Sequence, residues 1–313
     1  MKVLITGGAG FLGSYLCEAF LKLGYEVIAL DNLFSGSLKN INQLLSEKNF
    51  RFIKGDVRNE RLIRKLTKDV FSIYHLAAQV HVDRSIRDPK LTFDVNIKGS
   101  YNVLESAIRN DVERVIFASS CEVYGNPIYL PIDENHPFFP TSPYAASKVA
   151  EDRLCCAYIS TYGLPAVITR CFNFFGPRQK DEGYGAVIPI FIKRVFKNKP
   201  PIIYGDGKQT RDFTYIEDVV RFYLQIDKKF KKIKGLAINF GRGKETSINE
   251  LARLIIKLVG KKVKPIHTKP RQGELKRSYA DITLCRRKLK IQPMISLEEG
   301  IKKMIEWYTK VKR

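Results

Sequence analysis

The run Gly7-Gly8-Ala9-Gly10-Phe11-Leu12-Gly13, placed directly after the apolar stretch Val3–Thr6, constrains this chain more than any other feature. Glycines this dense would weaken the interior of a helix or a strand. Between a strand and an amphipathic helix they have three uses: a tight turn, close approach of backbone N–H groups to a pyrophosphate, and close packing of the helix on the strand. The helix that follows turns its unpaired N–H groups and partial positive charge toward the phosphates. A second apolar run, Val27–Leu30, ends at Asp31, about 20 residues past the glycines, where a carboxylate accepts hydrogen bonds from an adenosine ribose. That carboxylate repels a 2′-phosphate and no Arg follows in Asn32-Leu33-Phe34-Ser35, so the residues favour NAD over NADP.

The surrounding pattern agrees with a dinucleotide site. Short β-branched runs at Val3–Thr6, Val27–Leu30, Phe50–Lys54, Ser72–Leu76, Val115–Ser119 and Ala166–Arg170 alternate with helical patterns at Ser14–Leu23, Arg58–Leu66, Leu91–Asn110 and Tyr144–Tyr162. This is the rhythm of βαβ units around a parallel sheet. The expected fold class is therefore α/β, a doubly wound parallel sheet of the Rossmann type, with a smaller C-terminal α/β substrate lobe. Residues 1–170 are expected to form the NAD-binding domain, joined by segments returning near 212–240, and residues 171–313 the substrate lobe. Past Arg170 the rhythm breaks into loops, basic segments and shorter helices, with Ala237–Phe240 the one further strand expected. Two more strands end on residues suited to the cofactor, at Gly55-Asp56-Val57 and at His75-Leu76-Ala77-Ala78. Asp56 can hydrogen-bond adenine, and the small Ala77 and Ala78 admit a cofactor closely.

Composition excludes several alternatives. With 44% hydrophobic and 27% charged residues the chain can bury a core, and no apolar run reaches the roughly 18 residues that a membrane span needs. The apolar start is broken by the glycines and is not expected to be a signal peptide, so a cytoplasmic location is expected. Six cysteines lack C-x-x-C spacing and four histidines form no metal-spaced set, so neither zinc nor a disulfide framework is expected. A net charge of +22 raises the question of nucleic acid, yet the basic residues are scattered and lack interleaved aromatics. A lysine-rich solvated surface is expected, with an NAD-binding scaffold docking on RNA as the non-enzyme alternative. Trp307 is expected to anchor the last helix.

Tyr144 and Lys148 lie four residues apart at the start of a helical pattern opened by Pro143, on one helix face. A neighbouring ammonium favours tyrosinate, so Lys148 is expected to lower the phenol pKa and let Tyr144 exchange a proton with a sugar hydroxyl. Lys148 can also hold the nicotinamide ribose. Ser119-Ser120 ends the preceding strand, where a hydroxyl can donate to the reacting oxygen.

Taken in order, these segments resemble the extended short-chain dehydrogenases/reductases of the nucleotide-sugar epimerase and dehydratase group. Val123-Tyr124-Gly125, Cys171-Phe172-Asn173-Phe174-Phe175-Gly176-Pro177-Arg178, Gly205-Asp206-Gly207 with Arg211-Asp212-Phe213, and Arg271-Gln272-Gly273-Glu274 extend the match over nearly the whole chain. The resemblance implies that Ser120, Tyr144 and Lys148 are catalytic. It assigns the cofactor to Gly7, Gly10, Phe11, Leu12, Gly13, Asp31, Asn32, Asp56, Val57, Leu76, Ala77, Ala78 and Asn96, together with Tyr144 and Lys148. The substrate falls to Ser120, Glu122, Tyr144, Asn173, Val187, Tyr204, Arg211, Arg271 and Ser278, with Asn173, Arg211 and Arg271 on the diphosphate. The arginine fork suits phosphate oxygens.

Within that group the pattern is most similar to UDP-hexose 4-epimerases, acting on UDP-glucose and UDP-galactose. The small Ser278 implies room for UDP-N-acetylhexosamines as well. Glu122 departs from the epimerase pattern and resembles the glutamate of dehydratases and UDP-glucuronate decarboxylases. Cys121 stands where a dehydratase carries its acidic Asp, and Gly273-Glu274-Leu275-Lys276-Arg277-Ser278 lacks the decarboxylase arrangement of Arg and Pro. A homodimer through the helices Leu91–Asn110 and Tyr144–Tyr162 is a further expectation of the resemblance.

Overall fold

A computed structural model describes residues 1–183, 185–271 and 273–311, so Gln272 of the Arg271–Glu274 motif lies outside the described residues. The chain divides into two compact units. The first comprises Met1–Val123, Ser142–Arg170 and Val220–Ile238; the second comprises Tyr124–Thr141, Cys171–Val219 and Asn239–Arg313. The contiguous span 1–170 read from the sequence is thus interrupted, because Tyr124–Thr141 clusters with the second unit.

In chain order the elements up to the first break are β1 (Lys2–Thr6), α1 (Phe11–Lys22), β2 (Glu26–Asp31), β3 (Phe50–Lys54), α2 (Glu60–Leu66), β4 (Ser72–His75), α3 (Val82–Arg87), α4 (Pro89–Phe93), α5 (Gly99–Arg109), β5 (Arg114–Ala118), α6 (Pro143–Tyr162) and β6 (Ala166–Cys171). There follow β7 (Phe174–Phe175), α7 (Val187–Phe196), β8 (Ile202–Tyr204), β9 (Thr210–Arg211), β10 (Thr214–Tyr215), α8 (Ile216–Ile233) and β11 (Ala237–Phe240). The chain closes with β12 (Thr246–Ser247), α9 (Ile248–Val259), β13 (Ile266–Thr268), α10 (Thr283–Leu289) and α11 (Leu297–Val311).

The central sheet runs β11-β6-β5-β4-β1-β2-β3. Its pairs from β3 to β6 are parallel, with Val3 opposite Val27 and Ile5 opposite Tyr74. Side chains alternate across the sheet, and both faces are apolar because helices cover both. Leu4, Ile28, Ile73, Val115 and Ile168 meet Ile63 of α2, Val103 and Leu104 of α5, and Cys155 and Tyr158 of α6. Tyr74 packs its ring 4.7 Å from Phe20 of α1 and 6.3 Å from Tyr223 of α8 on the opposite face. The fold class read from the sequence is the observed one.

Three local departures have physical causes. The pattern Leu91–Asn110 is not one helix: α4 passes into a π-helical turn at Asp94–Lys98 before α5 begins. A π turn inserts a residue into the ladder and rotates the face, which apolar spacing does not reveal. Past Arg170 the helices are not uniformly short, since α8 has 18 residues and α11 has 15. Besides Ala237–Phe240 the later chain holds two-stranded ribbons β7/β10, β9/β12 and β8/β13, whose strands of two or three residues are too short for a period to show. Among the described residues no helix is long and apolar enough to cross a membrane, and no group of three or more His, Cys, Asp or Glu could hold a metal ion.

Candidate functional site

The glycine turn is built for close approach. Gly7 has φ +72°, and a Cβ there would lie 3.0 Å from the backbone N of Ala77. A side chain on Gly13 would drive its Cβ into the Gly7 carbonyl. The Gly10 N–H donates to Gly7 O at 2.9 Å, closing the turn. Gly10 is also the N-cap of α1 and offers no side chain there, so the helix presents the positive end of its dipole at the turn.

Asp31 ends β2 and is 8% exposed. Its Oδ2 accepts from Ala9 N at 3.1 Å and its Oδ1 from Leu33 N at 2.8 Å, which ties the glycine turn to the carboxyl edge of β2. Burial raises its pKa, and these two N–H bonds oppose the rise. Asn32 donates to Asp56 Oδ2 at 2.8 Å, joining the ends of β2 and β3. Arg58 is committed to Asp56 at 2.8 Å; with the other donors it holds the Asp56 carboxyl down at about 2. Val57 is buried against Gly99 of α5. Leu76 and Ala77 donate their N–H groups to Thr6 Oγ1, each at 3.2 Å, and Ala78 follows at the same carboxyl edge. A turn that tolerates no Cβ, an uncapped helix N-terminus and a carboxylate at the ribose position fit NAD.

Asn96 is placed differently from expectation. It sits in the π turn, fully buried, and its amide is spent on protein: Oδ1 accepts from Gln79 N at 2.7 Å while Nδ2 donates to Gln79 O and to Ser147 Oγ. It braces the segment after β4 against α6, and that use of its amide leaves no exposed face for a ligand.

Helix α6 carries the chemical pair. Ser142 caps it by accepting from Ala145 N, and Pro143 opens its first turn. The backbone N of Tyr144 donates to Ser85 Oγ of α3 at 3.0 Å, fixing the residue near the sheet edge. The Tyr144 side chain is 7% exposed, and the Ser120 hydroxyl acts on its phenol to lower the pKa. Ser120 Oγ also accepts from Glu122 N at 3.2 Å, in the 3-10 turn Cys121–Tyr124.

The expectation that Lys148 lowers the phenol pKa is not met. Burial pushes the phenol well above its ordinary value; the Ser120 bond lowers it, but Glu122, Glu151 and Cys121 push it further up. The Lys148 ammonium is held elsewhere, donating to Ala118 O at 2.7 Å and ion-paired with Glu151. Two carboxylates and desolvation outweigh a cation that already has its own counter-charge.

In the second unit, Arg211 in β9 donates from Nη1 to Thr210 O and Leu275 O, both at 2.8 Å, and its Nη2 lies 3.8 Å from Glu274 Oε1. Gln209 Nε2 links Tyr204 O with Glu274 Oε1. Tyr204 ends β8, and the Arg271 guanidinium stacks 4.0 Å above its ring. The structure therefore gathers Arg211, Glu274, Gln209, Tyr204 and Arg271. Asn173 stands apart on the segment after β6 with its buried Oδ1 unpartnered, and Val187 opens α7. Ser278 is 1% exposed and its buried hydroxyl has no partner. Sequence reasoning missed Gln209, Ser85, Ser100 and Glu151. For Glu151 a signal existed, since 144, 148 and 151 share one helix face.

A glycine turn fitted to a dinucleotide, followed by a Tyr/Lys pair on α6 and a serine at the end of β5, defines an extended short-chain dehydrogenase/reductase of the nucleotide-sugar epimerase and dehydratase group. The chain belongs to the family described as GDP-mannose 4,6 dehydratase, which matches residues 4–304. It is 42% identical over 307 residues to a putative UDP-glucose 4-epimerase of Methanocaldococcus jannaschii, covering 97% of each chain. It is 37% identical to the UDP-glucose 4-epimerase of Mycolicibacterium smegmatis, covering 98% of each. At 34% identity, over 99% of this chain and 98% of the other, it matches a UDP-N-acetyl-alpha-D-glucosaminuronate decarboxylase of Bacillus cytotoxicus. Among solved structures, UDP-glucose 4-epimerase of Thermotoga maritima with UDP-glucose superposes with a TM-score of 0.95 at 33% identity, covering 100% of each chain. The UDP-glucuronic acid 4-epimerase of Bacillus cereus, in complex with UDP-glucuronic acid and NAD, superposes with a TM-score of 0.94 at 33% identity, covering 99% of this chain and 100% of that one.

Proposed function

We propose that this protein interconverts a UDP-hexose and its C4 epimer through a transient 4-keto sugar, with UDP-glucose and UDP-galactose as the pair. The observation that carries the reading is the buried Tyr144 phenol on the helix that also positions Lys148, with the Ser120 hydroxyl acting to lower its pKa. When bound, NAD supplies a hydride acceptor that returns the hydride within the same turnover, and a positive charge that favours the phenolate. Tyr144 takes the C4 hydroxyl proton as C4 is oxidised and gives it back when the ketone is reduced from its other face. Ser120 donates to the reacting oxygen in both directions, which stabilises the charge that develops there. Arg211 and Arg271 hold the diphosphate in this reading, and Arg211 exchanges its carbonyl partners and Glu274 for phosphate oxygens.

A second reading rests on Glu122, whose charge acts on Tyr144: a carboxyl group there suits proton delivery to C5 after a 4-keto uronate has lost carbon dioxide. Purified protein incubated with UDP-galactose, UDP-N-acetylgalactosamine and UDP-glucuronate separates the two. Formation of UDP-glucose from UDP-galactose, abolished by Tyr144→Phe, supports the epimerase reading. Release of carbon dioxide from UDP-glucuronate, with both neutral sugars untouched, refutes it.

A further inference from the structure

A chain of buried polar groups crosses the first unit from the glycine turn to α6, and its directions can be assigned atom by atom. Thr6 Oγ1 already accepts the N–H groups of Leu76 and Ala77, so its own hydrogen goes to His75 Nδ1, 2.8 Å away. With Nδ1 accepting, the neutral ring carries its hydrogen on Nε2 and donates it to Ser100 Oγ at 3.0 Å. Neutrality of the ring follows from burial, which, with the Lys148 charge, holds its pKa down at about 3. Ser100 then donates to Glu151 Oε2 at 3.0 Å. Every hydrogen in the chain points toward Glu151 Oε2; burial raises the Glu151 pKa, and the Lys148 ammonium and the Ser100 bond oppose that rise.

Glu151 is 1% exposed and its other oxygen is paired with the Lys148 ammonium. One residue carrying both contacts lies between the turn that holds the cofactor and the pair that does the chemistry. The charged and titratable groups around it are Lys148 and Asp152 of α6, with His75 of β4 acting through Ser100 of α5; Asp152 is in turn neutralised by Arg170 of β6. Around Tyr144 they are Glu122 and Cys121 after β5, together with Glu151 itself.

We propose that Glu151 is a positioning residue of the reaction, which holds the Lys148 ammonium on itself and Ala118 O and so sets how far that ammonium can act on the Tyr144 phenol. This rests on the reading of Tyr144 as the acid/base group. The carboxylate acts in two ways: it neutralises the nearest cation, and it adds a negative charge that disfavours phenolate. Neither contact reaches the substrate.

The test compares Glu151→Gln, Glu151→Asp and Tyr144→Phe. Gln keeps an acceptor for Ser100 and removes the charge. Its acid limb of kcat/KM is expected about one pH unit below that of the unaltered enzyme, a roughly tenfold gain in relative rate on the acid side, with a lower plateau from the loosened lysine. Asp, which keeps the charge, is expected to move the limb back. In ligand-free protein, ultraviolet titration of phenolate, taken as the difference between Glu151→Gln and Glu151→Gln/Tyr144→Phe, is expected to show Tyr144 ionising at lower pH than the matching wild-type difference. A folded Glu151→Gln enzyme whose limb and phenol titration stay in place overturns the proposal, including when its plateau falls. Activity surviving in Tyr144→Phe instead defeats the underlying reading of Tyr144, so the two failures are distinguishable.

Discussion

Arg170→Leu tests what holds α6, and with it Tyr144 and Lys148, on the sheet. Arg170, next to last in β6, is 2% exposed and grips Asp152 of α6, 0% exposed, through Nε–Oδ2 at 2.9 Å and Nη2–Oδ1 at 3.1 Å. Asp152 lies one turn beyond Lys148. Truncating one partner leaves a buried carboxylate whose remaining cation is Arg153, half exposed at its rim. The cost is therefore set at the low end of the range for broken buried pairs, about 3 kcal/mol. For a unit of about 170 residues that corresponds to a fall in Tm of about 6–12 °C.

The sign with pH is fixed too. Asp152 has a lowered pKa in the folded protein despite burial, because Arg170 holds its charged form. Its contribution is present above the ordinary carboxylate pKa and is lost as pH falls through the depressed value. In Arg170→Leu the carboxyl protonates more readily, so the penalty should be greatest near neutral pH and shrink in acid. Thermal melts of both proteins between pH 4 and pH 8, with Asp152→Leu and the double variant closing a cycle, measure this. The double variant should recover most of the loss, since two apolar side chains replace the pair. A single-variant loss below about 1 kcal/mol, or one that grows as pH falls, refutes the reasoning.

Three other outcomes follow from the same structure. Tyr144→Phe and Lys148→Met should each lower kcat by roughly 10²–10⁴-fold with unchanged circular dichroism, measured on UDP-galactose. Asp31→Ala removes the acceptor for Ala9 N and the ribose carboxylate together, so calorimetry should show weaker NAD binding and a narrower preference over NADP. His75, held at about 3 by burial, favours folding above its unfolded pKa of about 6.5. That contribution fades as pH falls toward about 3, and His75→Gln should flatten this part of the stability profile in urea titrations.

The sheet was legible because buried parallel strands read as apolar runs, and all seven were found at their places with ends shifted by a residue or so. The glycine turn and the Tyr144/Lys148 spacing were legible because their geometry is local. What escaped depends on contacts far apart in sequence. Lys148 meets Ala118 O, 30 residues away, and Ser100 meets Glu151, 51 away. No spacing rule predicts that the ammonium is already taken, so its effect on the phenol was misjudged. The partners of Asn96 are likewise distant, because a π turn directs its amide toward Gln79 and Ser147.

The central claim is that one active site removes a hydride from C4 of a UDP-sugar and returns it to the same carbon. UDP-galactose deuterated at C4, incubated with the NAD-loaded enzyme in ordinary water and followed by NMR, tests it directly. The account predicts UDP-glucose that keeps deuterium at C4, with no net reduction of cofactor. Loss of the label to solvent, accumulation of a reduced cofactor with a released keto sugar, or no conversion at all would contradict it.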